Sequence, residues 1–272
     1  MITVLGLHIG SLLLYGLSLV LYWRFFITKR RGTGRLAQWV LLAGLVVHSA
    51  MLVVFTLQRH FLPMGQFATA ATTFVWLFGV LYFIQELLLK EQEFGVFVTS
   101  ILTVVQAVSV FTVDYTKPLA DILRNVIFEV HVSFMLIAYA GFALGFIAAV
   151  MYELLFEEIQ GHRFGLFYSR LPSLEFLDKL NIRSVTIGFL FLTVGIGLGM
   201  MNADQAWGFF WEWDPKLTVV FVNWLIYLFL VGSHFVLKWR GQRTAITGII
   251  GFVMVIFSFF IVTNFASTIH TF

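Results

Sequence analysis

The chain has 272 residues, 60% of them hydrophobic and only 11% charged, with a formal net charge of +3. That is too little polar surface to coat a soluble globule of this length, so a membrane is the solvent the composition calls for. The basic residues are scattered among the loops rather than gathered into a stripe, which leaves no footprint for a nucleic-acid partner. Cysteine is absent, which removes disulfides, thiolate metal ligands and any thiol relay within the chain.

A hydrocarbon core of roughly 30 Å needs about 20 apolar residues per helix. Hydrophobic runs near 3–27, 36–57, 67–89, 94–113, 125–151, 184–203, 217–237 and 244–264 predict an all-α, polytopic membrane protein of eight transmembrane helices, read as a single integral-membrane domain over 1–272. The run that follows Met1 is longer than the apolar core of a signal peptide, so it reads as a retained first helix. Lys29, Arg30, Arg31 and Arg35 follow the first helix, and Lys238, Arg240 and Arg243 follow the seventh. Positive charge marks cytoplasmic loops, so both termini are expected on the outer side.

The 152–183 connection adds Arg163, Arg170, Lys179 and Arg183 to the inner side. It reads either as a plain connector or as a segment lying in the headgroup layer, with a short interfacial helix from Ser173 to near Leu180. Gly141 with Gly145, and Gly195 with Gly199, are spaced to let helices approach closely.

Histidines carry the candidate chemistry. His8, His60, His131 and His270 all fall at or near the expected outer boundary, where an imidazole needs a partner, a water or a task. His60, beside Arg59 in a polar loop, reads as structural. His131 and His270 have apolar settings and flank the segment Trp207-Gly208-Phe209-Phe210-Trp211-Glu212-Trp213-Asp214. Two imidazoles facing each other across a flat space suit the axial positions of a haem iron. Zinc is the rival, but it wants three or four ligands, and no spacing of the H-E-x-x-H kind occurs.

Trp207 and Trp211, at i and i+4, would form a flat apolar shelf widened by Phe210; an interfacial aromatic belt is the alternative reading. Asp214 before Pro215 reads as the cap of the following helix. His234, near the inner end of the seventh helix, and His48, in the second, are either buried polar groups or parts of an inner or transit haem site.

With these residues in view, the chain resembles the cytochrome c assembly family, whose CcsA-, CcmC- and HemX-like members share a tryptophan-rich WWD motif. The run from Phe176 to Ser184 leads through a glycine-rich helix into Ala206-Trp207-Gly208-Phe209-Phe210-Trp211-Glu212-Trp213-Asp214-Pro215-Lys216, and Asn223-Trp224-Leu225-Ile226-Tyr227 follows. The similarity is strongest over 124–272, a CcsA-like haem-handling core, and weaker over 1–123. Leu217 stands where the family usually has Glu, so any role of that carboxylate is absent or moved to Glu212.

The resemblance implies haem b held non-covalently at the outer face of a bacterial cytoplasmic (inner) membrane, with His131 and His270 as iron ligands. Trp207, Gly208, Phe210, Trp211, Trp213 and Asp214 would form the cofactor wall. It further implies a CcsB-like membrane partner and an apocytochrome c carrying C-x-x-C-H, which receives haem by thioether attachment, as in a cytochrome c synthase (haem lyase). The alternative is a HemX-like regulator or haem sensor that affects the level of haem-biosynthetic enzymes without catalysis. A transporter or channel is a third class, disfavoured because no broken-helix ion site or charged pore ring is visible.

Overall fold

The computed structural model describes residues 2–115, 125–162, 164–207 and 215–265, without the side chains of 202–207, 215–217 and 259–265. Every regular element among the described residues is a helix: α1 (Ile2–Thr28), α2 (Arg31–Arg59), α3 (Phe67–Leu89), α4 (Gly95–Thr112), α5 (Val126–Gln160), α6 (Leu166–Arg170), α7 (Leu174–Trp207), α8 (Pro215–Phe235) and α9 (Gln242–Phe265). Seven of these, α1 to α5, α7 and α8, are long and apolar enough to cross a membrane, and α9 adds a shorter apolar stretch, Gln242–Ser258. The protein is polytopic and all-helical, and each of the eight expected spans has its helix.

Helix ends differ most from expectation at the end of α5 and the start of α7. α5 continues through 152–160 because nothing from Tyr152 to Gln160 breaks a helix, and Tyr152 and Leu155 are buried. At about 1.5 Å per residue it is about 52 Å long, well beyond a hydrocarbon core. α7 starts at Leu174 rather than 184, so the segment read either as a plain connector or as a short interfacial helix is the first part of a span. The Ser173 hydroxyl accepts the Phe176 N–H at 3.3 Å, and Asp178 and Asn181 reach α9 and the turn before it. Asp178 accepts from Gly241 N–H at 3.0 Å and from the Thr244 hydroxyl at 2.6 Å, while the Asn181 amide donates to the Thr244 carbonyl at 3.2 Å. Two of the polar residues that lower the hydropathy of this segment, Asp178 and Asn181, are therefore packing groups.

The chain divides into two compact units, Met1–Arg124 and Asn125–Phe272. In the first, α1 packs on α2 and α4, and α3 on α4 and α2. α1 buries His8, Ser11, Tyr15, Ser18 and Tyr22, a stripe spaced three and four residues apart, and turns Leu13, Leu17 and Val20 outward. In lipid this inversion is stable, because the outward face meets hydrocarbon while inward polar groups find partners on neighbouring helices. α1 and α3 are followed by Lys29 and Lys90, and α2 by His60, all left-handed at φ 54°, 59° and 61°. His60 is thus the residue that ends α2.

In the second unit α5 packs on α7 and α9, and α8 on both. Its core is built by residues such as Phe142, Ile182, Leu192, Tyr227 and Leu230. Phe142 and Tyr227 stack with ring centroids 3.5 Å apart and planes inclined by 4°. The α5–α7 seam is close because both helices are glycine-lined there. A β-carbon on Gly141 would meet the Ser184 carbonyl oxygen at 3.0 Å, and one on Gly188 would meet the Ala138 carbonyl oxygen at 2.9 Å.

Candidate functional site

His131 lies in the second turn of α5, where that helix runs beside the carboxyl-terminal half of α7. Its Nδ1 is 2.7 Å from the Gly195 carbonyl oxygen. A carbonyl can only accept, so Nδ1 carries the proton, and in the neutral ring Nε2 is left with its lone pair. No hydrogen bond engages Nε2 among the described residues. The side chain is half-buried, with Phe134 and Phe191 in contact nearby, centroids 5.2 Å apart. A backbone carbonyl thus fixes the orientation of the ring through one nitrogen, which directs the lone pair of the other.

Trp207 is the last residue of α7, not part of the connection as expected, and α8 begins at Pro215, the residue type suited to a first helical position. Gly208, Phe210, Trp211, Trp213, Asp214 and His270 lie outside the described residues, as does the side chain of Trp207. Within this unit α7 ends and α8 begins at the end of the bundle where α5 begins. His234 lies at the opposite end, near the end of α8, about 30 Å of helix from Pro215. Its Nδ1 is buried without a partner among the described residues. His131 and His234 are not brought together.

His48 belongs to a different construction, inside the first unit. It and His8 are fully buried, with rings 6.5 Å apart. Both Nε2 atoms converge on the Thr72 hydroxyl, at 2.9 Å from His48 and 3.2 Å from His8. His48 Nδ1 is 2.9 Å from the Tyr15 hydroxyl, and His8 Nδ1 is hydrogen-bonded to that of Tyr115.

Counting protons orders this network. Ser11 donates to the His8 carbonyl at 2.8 Å, so its oxygen accepts from the Gln106 amide at 2.8 Å. Gln106 Oε1 then faces Thr72 and takes its only proton, at 3.0 Å. Thr72 must accept from both imidazoles, so both are Nε2–H tautomers, and both phenols donate into Nδ1. No lone pair of His8 or His48 remains for a metal.

A second polar cluster lies where α1 and α3 end. Glu86, buried within the bundle, accepts from the Tyr22 hydroxyl at 2.5 Å and from the Gln92 amide at 3.0 Å. Beyond it, Lys29 pairs with Glu93, and burial with the neighbouring Glu93 pushes the Glu91 carboxyl up to about 7. Neither cluster was singled out from the sequence, although the three-and-four spacing of His8, Ser11, Tyr15, Ser18 and Tyr22 announces the first. Among the described residues no three His, Cys, Asp or Glu side chains gather as a metal site.

Comparison with known proteins adds a family. The family model described as cytochrome C assembly protein matches residues 5–270. The chain is 27% identical over 240 residues to a cytochrome c biogenesis protein CcsA of Chlamydomonas reinhardtii, covering 83% of this chain and 66% of that one. It is 33% identical over 159 residues to the CcsA protein of Parasynechococcus marenigrum (strain WH8102), covering 51% and 52%. The match thus spans about two thirds of the first of these relatives and half of the second. Among solved structures, cytochrome c heme lyase CcmF has a similar fold, with TM-score 0.61 and 15% identity over 92% of this chain and 46% of that one. With its match running almost from end to end, the chain belongs to the cytochrome c assembly protein family.

Proposed function

We propose that this protein binds haem b non-covalently at the end of the second unit where α5 begins and α7 ends, and presents it for cytochrome c assembly. The observation that carries this reading is the His131 imidazole, anchored at 2.7 Å through Nδ1, with an Nε2 that no hydrogen bond engages among the described residues, the donor a haem iron takes. His270 would be the second axial ligand, and Trp207, Gly208, Phe210, Trp211, Trp213 and Asp214 the wall against the macrocycle.

By charge alternation this end faces the outer side of a bacterial cytoplasmic membrane. When bound, haem supplies the vinyl groups that become thioethers. The chain's own contribution is to orient it and to exclude water. The thiols come from a C-x-x-C-H apocytochrome, and a CcsB-like membrane partner completes the synthase. His48 and His234 remain proposed inner or transit positions, of which His48 would first have to give up a hydrogen bond to Tyr15 or Thr72.

The test is the reduced absorption spectrum of the purified full chain. A low-spin bis-histidine signal is expected in the wild type and lost in the His131→Ala, His270→Ala double variant; a signal unaltered by that change overturns the assignment. Deletion separates the synthase role from a HemX-like regulator: loss of c-type cytochrome supports the former, while altered haem precursors with normal cytochrome support the latter.

A further inference from the structure

Three glycines occupy the face and flanks of α7 beside His131, and only two are required by their surroundings. A β-carbon on Gly199 would lie 2.7 Å from Cε1, 2.9 Å from Nδ1 and 3.4 Å from Nε2 of the His131 ring. The imidazole therefore rests directly on the α7 backbone. One turn earlier, Gly195 provides the carbonyl that accepts Nδ1–H, and its own missing side chain makes room for Met135, whose sulfur would be 3.0 Å from a β-carbon there. Gly197 lies between them, and a β-carbon at that position would meet nothing within 4 Å. Glycine is a poor helix former everywhere in a helix interior, so propensity alone does not separate 199 from 197. The ring does.

We infer that Gly199 is a positioning residue for the axial ligand: its bare α-carbon lets the His131 imidazole lie against α7, where the Gly195 carbonyl fixes both the tautomer and the ring plane. This rests on the reading of His131 as an iron ligand. With Nδ1–H held, the Nε2 lone pair has one direction, and the hydrogen bond makes it a stronger donor. An alanine at 199 overlaps the ring rather than backbone. The ring, at the end of a side chain with two rotatable bonds, can swing away. The helices need not separate, but the contact with Gly195 is lost and Nε2 points elsewhere.

The experiment compares the full-length wild type with Gly199→Ala, Gly197→Ala and His131→Ala. In the haem-free, 15N-histidine-labelled protein, the His131 resonance should show protonated Nδ1 and bare Nε2, unchanged in Gly197→Ala and mixed or inverted in Gly199→Ala. In the haem-loaded protein, Gly199→Ala should retain haem about tenfold less well, lose low-spin character and regain it on addition of free imidazole, with a thermal midpoint close to that of the wild type.

A Gly199→Ala protein with wild-type tautomer and spectrum overturns the inference. So does one whose defect comes with a lowered midpoint and no rescue by imidazole, since that is packing damage. If instead His131→Ala leaves the haem spectrum intact, the ligand reading fails, and the haem-free resonances still decide whether Gly199 sets the ring.

Discussion

The two units bury histidine in opposite ways. In the first, His8 and His48 have every ring nitrogen taken, and the donors and acceptors around Thr72 match one for one. In the second, one nitrogen of His131 is tied to a backbone carbonyl and the other has no hydrogen-bond partner among the described residues. An imidazole inside a membrane protein is costly unless satisfied, so the closed arrangement joins helices, and the half-open one is intelligible when something else completes it. Whether a buried histidine holds helices or awaits a ligand is decided by its second nitrogen.

The contrast can be broken most forcefully at His48. His48→Leu leaves the buried Tyr15 hydroxyl without the nitrogen it donates to, at a cost of about 1–3 kcal/mol, and takes from Thr72 one of its two imidazole donors. The expected result is a large fall in thermal midpoint with an unchanged haem spectrum; loss of the haem signal in a folded protein would make His48 a ligand and erase the distinction. In the second unit, Gly188→Ala drives a methyl group against Phe142 and the Ala138 carbonyl and should cost about 1–3 kcal/mol by overpacking, read as a lower midpoint.

Trp224→Phe removes the 3.0 Å bond from the indole N–H to the Thr193 hydroxyl and should cost only about 0.6 kcal/mol, measured in the same melts. The last effect depends on pH and belongs to Glu91, whose partial exposure to water damps it. Its carboxyl titrates near 7 in the folded protein against an ordinary value of 4.5, so the folded state holds a proton that the unfolded state has released between those values. Stability from this group is full below about pH 4.5 and is lost as pH rises through 7. Glu91→Gln should flatten that part of the midpoint-against-pH curve, and an unaltered curve would remove Glu91 as its source.

Spans were legible because hydropathy is summed over about 20 residues and survives local errors. The start of α7 was not, because Asp178, Asn181 and Arg183 lower the apparent hydropathy of a segment whose Asp178 and Asn181 find partners on α9 and the turn before it. His48 stayed ambiguous for a related reason: the groups that satisfy it come from α1 and α3, and no spacing within α2 reveals them. Gly195 and Gly199 were visible as a close-approach pair. What approaches Gly199 is an imidazole rather than a helix backbone, and that is a property of two helices together.

The lysines that follow α1 and α3 have one more consequence. Lys29 and Lys90 adopt a left-handed backbone that glycine would accept without strain. A glycine there would stop the helix but carry no charge. Lysine adds a charge: the Lys29 ammonium pairs with Glu93, and both residues put positive charge at the loop end of their helices, where charge biases the direction of insertion. Stop signal and charge are carried by the same residue, so a glycine in place of either lysine would keep the helix end and remove the positive charge.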